Sequence, residues 1–472
     1  MQRSNTNPLS YLLLYIPFIL SLLTQRSPHI AYLIAYAGSF FIFYLSYSGF
    51  IKKLPTDLPV SEQLLRPIFL MQIIFAGYMA CTSIFYYLNA LGYQYGNYVG
   101  SRFFRGDIVY VSIAKVQLFY VLGHAALVHG ILAGMRYPIV KRHSIYTHSM
   151  SNLLLTTSLI CWPLSYAFSR IGGLNQFSVQ LSGLSFVAGT IALAFAIREK
   201  KKTNILISGG LFILNFIDAL SSGFKEPIII AVLLLGVYLF PIYGKKVIPV
   251  FGTLLIALFF VLPTFIGNFR QLAASGTNAI EARDQSIDAL LQSNDLASDL
   301  QDDNWAFLTM RLSEMDMFIK YIGSTPYYVP YYGFSITKGA LKTLVPRAIW
   351  SSKPDVEALV MERVYRSGTI IRGTSVSAKP AFIVDCYLSG GMLGIFIGLF
   401  LYGFIAQKIA QKTEEYFAGY FLGVAVMFAG LFQIFWRGNS FEFLFNSVFW
   451  SYITMYIIYT IFKARGIIYK IN

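Results

Sequence analysis

Cationic side chains concentrate in one polar stretch, from Asn268 to Lys379, of a chain that is otherwise largely apolar. Arginine grips phosphate oxygens through two parallel hydrogen bonds and stays protonated, so it suits an anionic ligand. The same stretch is rich in tyrosine, whose flat apolar face suits stacking on a sugar ring. This combination predicts chemistry on an anionic, sugar-containing substrate. The cations of the stretch are Arg270, Arg283, Arg311, Lys320, Lys338, Lys342, Arg347, Lys353, Arg363, Arg366, Arg372 and Lys379.

Membrane helices are the elements that must position these cations. Hydrophobic residues make up 56% of the chain and charged residues 12%, and the mean hydropathy is +0.59, which indicates a polytopic membrane protein. Apolar windows long enough to cross a hydrocarbon core of about 30 Å as helices recur along the chain, without the alternation of a membrane barrel strand. The predicted fold is therefore all-α, with about twelve spans. The windows are Pro8 to Thr24, Ile30 to Ile51, Pro67 to Gly92, Asp107 to Gly134, Asn152 to Ser169, Gln176 to Ile197, Asn204 to Ser221, Pro227 to Tyr243, Val247 to Gly267, Pro380 to Ala406, Glu415 to Trp436 and Phe441 to Phe462.

Basic residues in the short connections predict the orientation, because lysine and arginine are retained on the cytoplasmic side. With the N-terminus inside, 18 of the basic residues outside the polar stretch lie inside and 6 lie outside. Both termini are then cytoplasmic, and the polar stretch is one large periplasmic loop carrying short helices. This rule explains much of the net charge of +15, so nucleic acid is not expected as a partner. The chain divides into residues 1–267 with nine spans, the loop 268–379, and residues 380–472 with three spans.

Cysteine and histidine give no sign of a metal site. Cys81, Cys161 and Cys386 fall within or at the start of apolar windows, without the spacing of metal ligands. The loop holds no histidine or cysteine, and its acidic residues lack both the Gly-centred calcium pattern and the Asp-x-Asp signature for magnesium or manganese. We therefore expect neither a metal nor another cofactor.

Local patterns divide the loop into parts. Thr277 to Asp303 is acidic, with apolar residues at helical spacing, and predicts one or two solvated amphipathic helices. Ala306 to Ile322 also shows helical spacing, which puts Arg311 and Glu314 about one turn apart and makes a structural ion pair between them one interpretation.

Pro326 to Phe334 packs four tyrosines around two prolines and a glycine, and is too interrupted for a helix or a central strand. Tyr328 and Tyr332 are candidates for stacking on sugar rings. A place in the aromatic belt of the membrane interface is the alternative.

The sharpest motif of the loop is Pro346 to Pro354, PRAIWSSKP, in which two prolines bracket two cations and Trp350. A segment of the form PR-x-x-W-x-x-KP in the large external loop of a multi-span protein resembles the Wzy-type polysaccharide polymerases. These enzymes join lipid-linked repeat units of O-antigen and related glycans.

Three further features fit this resemblance, which covers residues 223–439. The turn Ser222 to Lys225 precedes an apolar helix, with lysine where the family more often has arginine. Arg311 with Glu314 lies upstream of the Pro-Arg motif, and an Arg-Gly pair opens the last external turn within Trp436 to Asn439.

The resemblance implies a glycosyltransferase of the GT-C type at the outer face of the inner membrane. It would move a growing glycan from polyprenyl pyrophosphate to a sugar hydroxyl on a second lipid-linked unit. The leaving pyrophosphate drives such a reaction, so its developing charge requires fixed cations, first Arg311, Arg347 and Arg437. For each cation, a membrane anchor or a salt bridge is the alternative role. Further candidate ligands of pyrophosphate or sugar are Lys225, Arg270, Lys353, Arg372 and Trp350.

A base must accept or orient the proton of the attacking hydroxyl. Since the loop has no histidine, carboxylates remain, and Glu314 and Asp385 are the candidate catalytic residues, with Asp316 and Glu442 behind them. Asp385 lies near the outer end of an apolar window, where an ionisable group is costly unless it is paired. A structural pair with an arginine is therefore its alternative role.

The partners implied are polyprenyl-pyrophosphate-linked oligosaccharide, membrane lipid, a chain-length regulator and a flippase. An O-antigen ligase is the alternative within the same class, although the loop lacks a histidine. A transporter or flippase of lipid-linked sugars is the alternative from another class. Its cations should line a path through the membrane, whereas these gather at one face, and no internal repeat is evident.

Overall fold

A computed structural model describes residues 8–93, 107–140, 142–171, 174–221, 226–292, 304–346, 349–350, 352–353, 355–373, 378–432 and 439–471. The α-helices are α1 (Ile16–Leu23), α2 (Pro28–Tyr47), α3 (Pro67–Gln72), α4 (Ser83–Ala90), α5 (Asp107–Gly134), α6 (Met150–Ser169), α7 (Asn175–Glu199), α8 (Lys202–Ser221), α9 (Glu226–Tyr243), α10 (Val247–Ala274), α11 (Ala279–Gln292), α12 (Met315–Ser324), α13 (Ser335–Thr343), α14 (Val356–Arg366), α15 (Phe382–Tyr416), α16 (Tyr420–Leu422), α17 (Ala429–Leu431) and α18 (Phe441–Ala464). Shorter elements are the 3₁₀-helices Pro8–Tyr15, Val60–Glu62 and Gly244–Lys246, the π-helices Ile73–Ala80, Leu308–Leu312 and Gly423–Phe428, and the strands β1 (His143–Ile145) and β2 (Ile468–Lys470).

Apolar helices dominate the fold, as the composition predicts. Among the described residues, eight helical stretches are long and apolar enough to cross a membrane, which confirms an all-α membrane protein, while the count of twelve spans stays a prediction. The eight are Pro28–Tyr47, Pro67–Ala90, Ile108–Gly134, Phe177–Glu199, Lys202–Ser221, Ile228–Ala274, Phe382–Tyr416 and Phe441–Ala464.

Helix α5 lies at the centre of the bundle and packs against α2 and α15. Its contact with α15 is close because glycines face the partner backbone. A Cβ atom at Gly130 would lie 2.0 Å from the carbonyl oxygen of Phe400, and one at Gly403 would lie 2.2 Å from that of Leu127. Small residues at such crossings let the two backbones pack closely. This packing is important in a membrane, because the hydrophobic effect does not drive helices together in apolar lipid.

Opposite ends of α5 identify the two ends of the bundle. At its start, the Tyr110 hydroxyl donates to the carbonyl of Ala90, and Trp305 of the polar stretch donates to the neighbouring Asn89 at 3.0 Å. At its other end, the Lys52 ammonium caps the helix through the carbonyls of Leu132 and Met135, both at 2.6 Å. The polar stretch around Trp305 therefore lies at the end of the bundle remote from Lys52.

The chain reverses direction inside α15, at Gly390 and Gly391, which differs from the single uninterrupted window predicted over Pro380 to Ala406. Both glycines have non-helical dihedral angles, and Gly391 has a φ of +62° that disfavours other residues. A Cβ at Gly394 would lie 2.1 Å from the carbonyl oxygen of Cys386, although eight residues of continuous helix would separate these positions by about 12 Å. Residues 382–389 thus pack antiparallel against the helix that follows residue 391.

Candidate functional site

Arg311 lies in a short π-helix of the polar stretch, Leu308–Leu312. Its side chain is exposed, while its backbone carbonyl lies 3.5 Å from the hydroxyl of Tyr78, which donates to it. Tyr78 itself belongs to a second π-helix, Ile73–Ala80, within one of the apolar helical stretches. π-Helical turns are rare in proteins as a whole, and those that occur often lie at functional sites. The contact between two of them therefore makes this region a candidate site.

Glu314 connects this π-helix to α12 through a strained backbone. Its φ of +53° lies in the left-handed region, which costs a residue with a side chain about 1–3 kcal/mol and is found most often at functional sites. The adjacent Ser313 carbonyl accepts a hydrogen bond of 2.7 Å from the buried Tyr120. The turn is therefore fixed on both sides, by Tyr78 at residue 311 and by Tyr120 at residue 313.

The charge of Arg311 is not neutralised by the carboxylates of the described residues. No ion pair among them includes Arg311, so the Arg311–Glu314 pair considered from the spacing does not form. Four other arginines of the polar stretch do pair with carboxylates. The pairs are Arg283 with Asp284 at 2.7 Å, Arg363 with Glu442 at 2.6 Å, Arg366 with Glu362 at 2.9 Å, and Arg372 with Glu362 at 2.7 Å.

A second cluster consists of Arg363, Asp385 and Glu442, which are all buried. The Arg363 guanidinium donates to both oxygens of Glu442, at 2.6 and 2.7 Å, and its nitrogen Nη2 lies 3.2 Å from Asp385. Asp385 also accepts a 2.8 Å hydrogen bond from the backbone N–H of Phe441. Burial alone would lower the pKa of Arg363, but Asp385 and Glu442 raise it above its ordinary value. Asp385 is thus paired with an arginine, as in the alternative role considered for it from the sequence.

Arg363 was not among the candidate site residues, yet the sequence carries a signal for its burial. On α14 it lies between the buried Val360 and Val364, on the face that the helix turns towards the protein. An arginine inside an apolar helical face predicts a buried ion pair, because an unpaired charge there would be costly.

Helix α12 connects the turn at Arg311 and Glu314 to the cluster of Arg363, Asp385 and Glu442. Glu314 precedes its first residue, and Tyr321 near its end is close enough to Asp385 that burial and this carboxylate together raise the pKa of the tyrosine. Seven residues of helix correspond to about 10 Å. The predicted catalytic residues Arg311, Glu314 and Asp385 therefore lie around one short helix.

Lys353 and Trp350, which were candidate ligands, make local contacts. The Lys353 ammonium donates to the carbonyls of Thr343 and Val345, at 2.6 and 2.9 Å. It therefore satisfies backbone acceptors at the end of α13, where a cation is favourable. The Trp350 indole donates to the hydroxyl of Ser352 at 3.1 Å.

Arg372 forms an ion pair with the exposed carboxylate of Glu362, which also pairs with Arg366. Its guanidinium also lies 5.0 Å above the ring of Tyr365. Hydrogen bonds from Arg372 and Arg366 lower the pKa of Glu362. This surface group carries two positive charges and one negative charge, and so keeps a net positive charge.

The candidate tyrosines differ in exposure. Tyr328 is 88% exposed, whereas Tyr332 is half-buried and its backbone N–H donates to the carbonyl of Leu388 at 2.8 Å. Burial raises the pKa of Tyr332. No strand or helix forms over residues 326–334, all of which are described, as the prolines predict. Arg270 is exposed in the last turns of α10.

Three candidate cations, Lys225, Arg347 and Arg437, lie outside the described residues. Within the described part of the chain, no group of three or more His, Cys, Asp or Glu side chains is placed to hold a metal ion.

The fold and these clusters define an all-α integral membrane protein with short helices and buried ion pairs. The chain belongs to the family DUF8712, described as a domain of unknown function, whose family model matches residues 16–470. No curated protein and no solved structure matches the chain.

Proposed function

We propose that this protein is a metal-independent membrane glycosyltransferase that joins polyprenyl-pyrophosphate-linked oligosaccharide units into a surface polysaccharide. The observation that carries the proposal is Arg311, an exposed guanidinium without a carboxylate partner among the described residues, next to the strained Glu314. An arginine that no protein carboxylate neutralises is available to an anionic ligand. The motif resemblance to the Wzy-type polymerases supports the same reaction.

In the proposed reaction, Arg311 binds the pyrophosphate of the donor. The acceptor hydroxyl oxygen bonds to the anomeric carbon, and the bond from that carbon to the pyrophosphate oxygen breaks. The electron pair leaves with the pyrophosphate, whose charge Arg311 stabilises, and the hydroxyl proton passes to the carboxylate of Glu314. Arg347 and Arg437 provide further positive charge, and Asp385 with Arg363 holds the site together.

The remaining candidate residues bind the rest of the donor and acceptor. Exposed Tyr328 and half-buried Tyr332 offer ring faces to sugars, and Arg372 contributes to the net positive surface on which anionic groups are held. The protein would act in the cytoplasmic membrane with both termini inside and residues 268–379 in the periplasm. A flippase would supply its substrate, and a chain-length regulator would limit its product.

The test compares surface glycans of a deletion strain complemented with Arg311→Ala or with Lys320→Ala. Lys320 is a matched control because it removes one positive charge from the same region, but one that Asp316 already neutralises at 2.9 Å. Loss of a charge-assisted phosphate contact worth about 1.5–3 kcal/mol should reduce polymer by one to two orders of magnitude in Arg311→Ala, with single-repeat glycan left on the surface. Lys320→Ala should make normal polymer.

The deletion strain itself separates the alternatives. Single-repeat glycan identifies a polymerase, whereas unattached polymer would identify a ligase and absence of surface glycan a flippase. Normal polymer in Arg311→Ala at normal expression would contradict the proposed role of Arg311.

A further inference from the structure

Helix α13 carries an exposed stripe of alternating apolar and basic residues. Phe334, Lys338, Leu341 and Lys342 follow each other at the spacing of one helical face. Phe334 is 79% exposed and Leu341 52% exposed. The opposite face, with Ile336, Ala340 and Thr343, is buried, so the stripe points away from the protein.

The buried face of α13 places the helix at the end of a membrane span. The Thr343 hydroxyl lies 3.5 Å from the backbone carbonyl of Glu442, and a Cβ at Gly339 would lie 3.7 Å from the Glu442 carboxylate. Glu442 is in the first turn of α18, whose 24 residues extend about 36 Å and so begin near one boundary of a hydrocarbon core. Helix α13 therefore lies at the level of the lipid headgroups.

The sequence on either side of α13 carries charge of one sign. Between Asp316 and Asp355 the sequence contains no aspartate or glutamate, while it contains five basic residues. These are Lys320, Lys338, Lys342, Arg347 and Lys353. An exposed face that combines apolar side chains with lysines, in a segment whose sequence lacks carboxylates, complements an anionic lipid surface.

We propose that the stripe Phe334, Lys338, Leu341 and Lys342 lies in the headgroup layer of the bilayer and binds anionic phospholipid. Phe334 and Leu341 insert beside the upper acyl chains, and the two lysines contact phosphate groups. The stripe thereby fixes the height of α13, and with it the Lys353 contact, relative to the membrane. This interaction does not depend on the enzymatic proposal.

The test places a nitroxide spin label on the full-length protein in nanodiscs, at Leu341→Cys or at Leu291→Cys. Leu291 is the control because it is a 78% exposed leucine on the amphipathic helix α11, which carries acidic instead of basic neighbours. In nanodiscs containing phosphatidylglycerol, the label at 341 should be accessible to oxygen and protected from a water-soluble relaxation agent. The label at 291 should show the reverse.

A titration of phosphatidylglycerol into phosphatidylcholine nanodiscs measures the role of the lysines. With Lys338→Gln and Lys342→Gln added, the lipid fraction required for half of the change at residue 341 should rise several-fold, since each lysine near an anionic surface contributes to binding. Labels equally exposed to water at 341 and 291 would overturn the proposal. If the label at 341 is equally protected from water in pure phosphatidylcholine and in nanodiscs with phosphatidylglycerol, the binding of anionic lipid is contradicted. A monodisperse elution profile confirms that each variant is folded.

Discussion

Arg311 and Arg363 belong to the same polar stretch but have opposite environments. Arg363 is 5% exposed and donates to two buried carboxylates, whereas Arg311 is exposed and has no ion pair among the described residues. The buried arginine cannot receive a substrate without losing its partners, but the exposed one can. Arginine content alone therefore does not locate a site for an anion; the charges around each arginine do.

Arg66 shows that the environment of Arg363 is a recurring way of joining helices in this chain. At the other end of the bundle, Arg66 is 1% exposed, lies 2.7 Å from Asp57 and 3.0 Å from Glu414, and stacks 4.4 Å from the ring of Tyr137. Both buried arginines join segments that are far apart in sequence. Arg311 departs from this arrangement, which is why we propose that it binds a ligand.

Arg363→Ala should have the largest effect on stability. It leaves Asp385 and Glu442 buried together without their cation, which typically costs about 3–5 kcal/mol. Thermal unfolding of the purified protein in detergent should show a much lower midpoint, or expression should fail. Arg366→Ala, on the same helix but 55% exposed, is the control and should lower the midpoint only slightly. An unchanged midpoint in Arg363→Ala would refute the structural role of the cluster.

Asp385→Asn should be milder, because Arg363 and Glu442 remain as a bidentate pair of zero net charge. The loss of one charged partner and one charged acceptor for the Phe441 N–H should cost about 1–2 kcal/mol. The unfolding midpoint should fall between those of the wild type and Arg363→Ala. If polymer is lost while the midpoint is unchanged, Asp385 acts in the chemistry and not in holding Arg363.

Glu314→Gly separates backbone strain from the function of the carboxylate beside Arg311. Glycine accepts a positive φ without penalty, so the variant should gain up to about 1 kcal/mol in stability, while polymer formation should be lost with the carboxylate. Glu314→Ala is the matched control, because it removes the carboxylate but keeps the strain. A lower unfolding midpoint for Gly than for Ala would show that the backbone at residue 314 is not strained.

Glu362 should give the smallest effect, visible through pH. Its pKa is lowered in the folded protein by Arg372 and Arg366, so its contribution to stability is present above the unfolded pKa and is lost as pH falls through the folded pKa. Glu362→Gln should therefore unfold at a slightly lower temperature than the wild type at pH 7. The difference should disappear in acid, below the ordinary range of a glutamate. A difference that persists at low pH would show that it does not arise from these ion pairs.

Helices were predictable from the sequence where the signal is local. The window Asp107 to Gly134 coincides with α5, because the length of an apolar run fixes a membrane helix. The irregular backbone of Pro326 to Phe334 was also predictable, because proline and glycine interrupt helices and strands at the positions where they occur.

Three features were not predictable, since they depend on distant contacts, on the direction of the chain or on a backbone angle that the residue type does not indicate. Hydropathy records how apolar a window is but not whether the chain turns back inside it, so the reversal at Gly390 was missed. The partners of Arg363 lie 22 and 79 residues away, and no local spacing joins them. The break at Glu314 was hidden because the residue is neither glycine nor asparagine, which are the usual markers of left-handed backbone.

Helix α15 carries Asp385 near its beginning and Glu414 near its end. The first is bonded to Arg363 and the second to Arg66, the two buried arginines at opposite ends of the bundle. Because the chain turns back at Gly390 and Gly391, the two acids lie on two helical segments that pack against each other, and a buried ion pair anchors each segment. A movement of α14, which carries Arg363, therefore either displaces the short segment 382–389 against the helix that follows it or breaks an ion pair that is shielded from water.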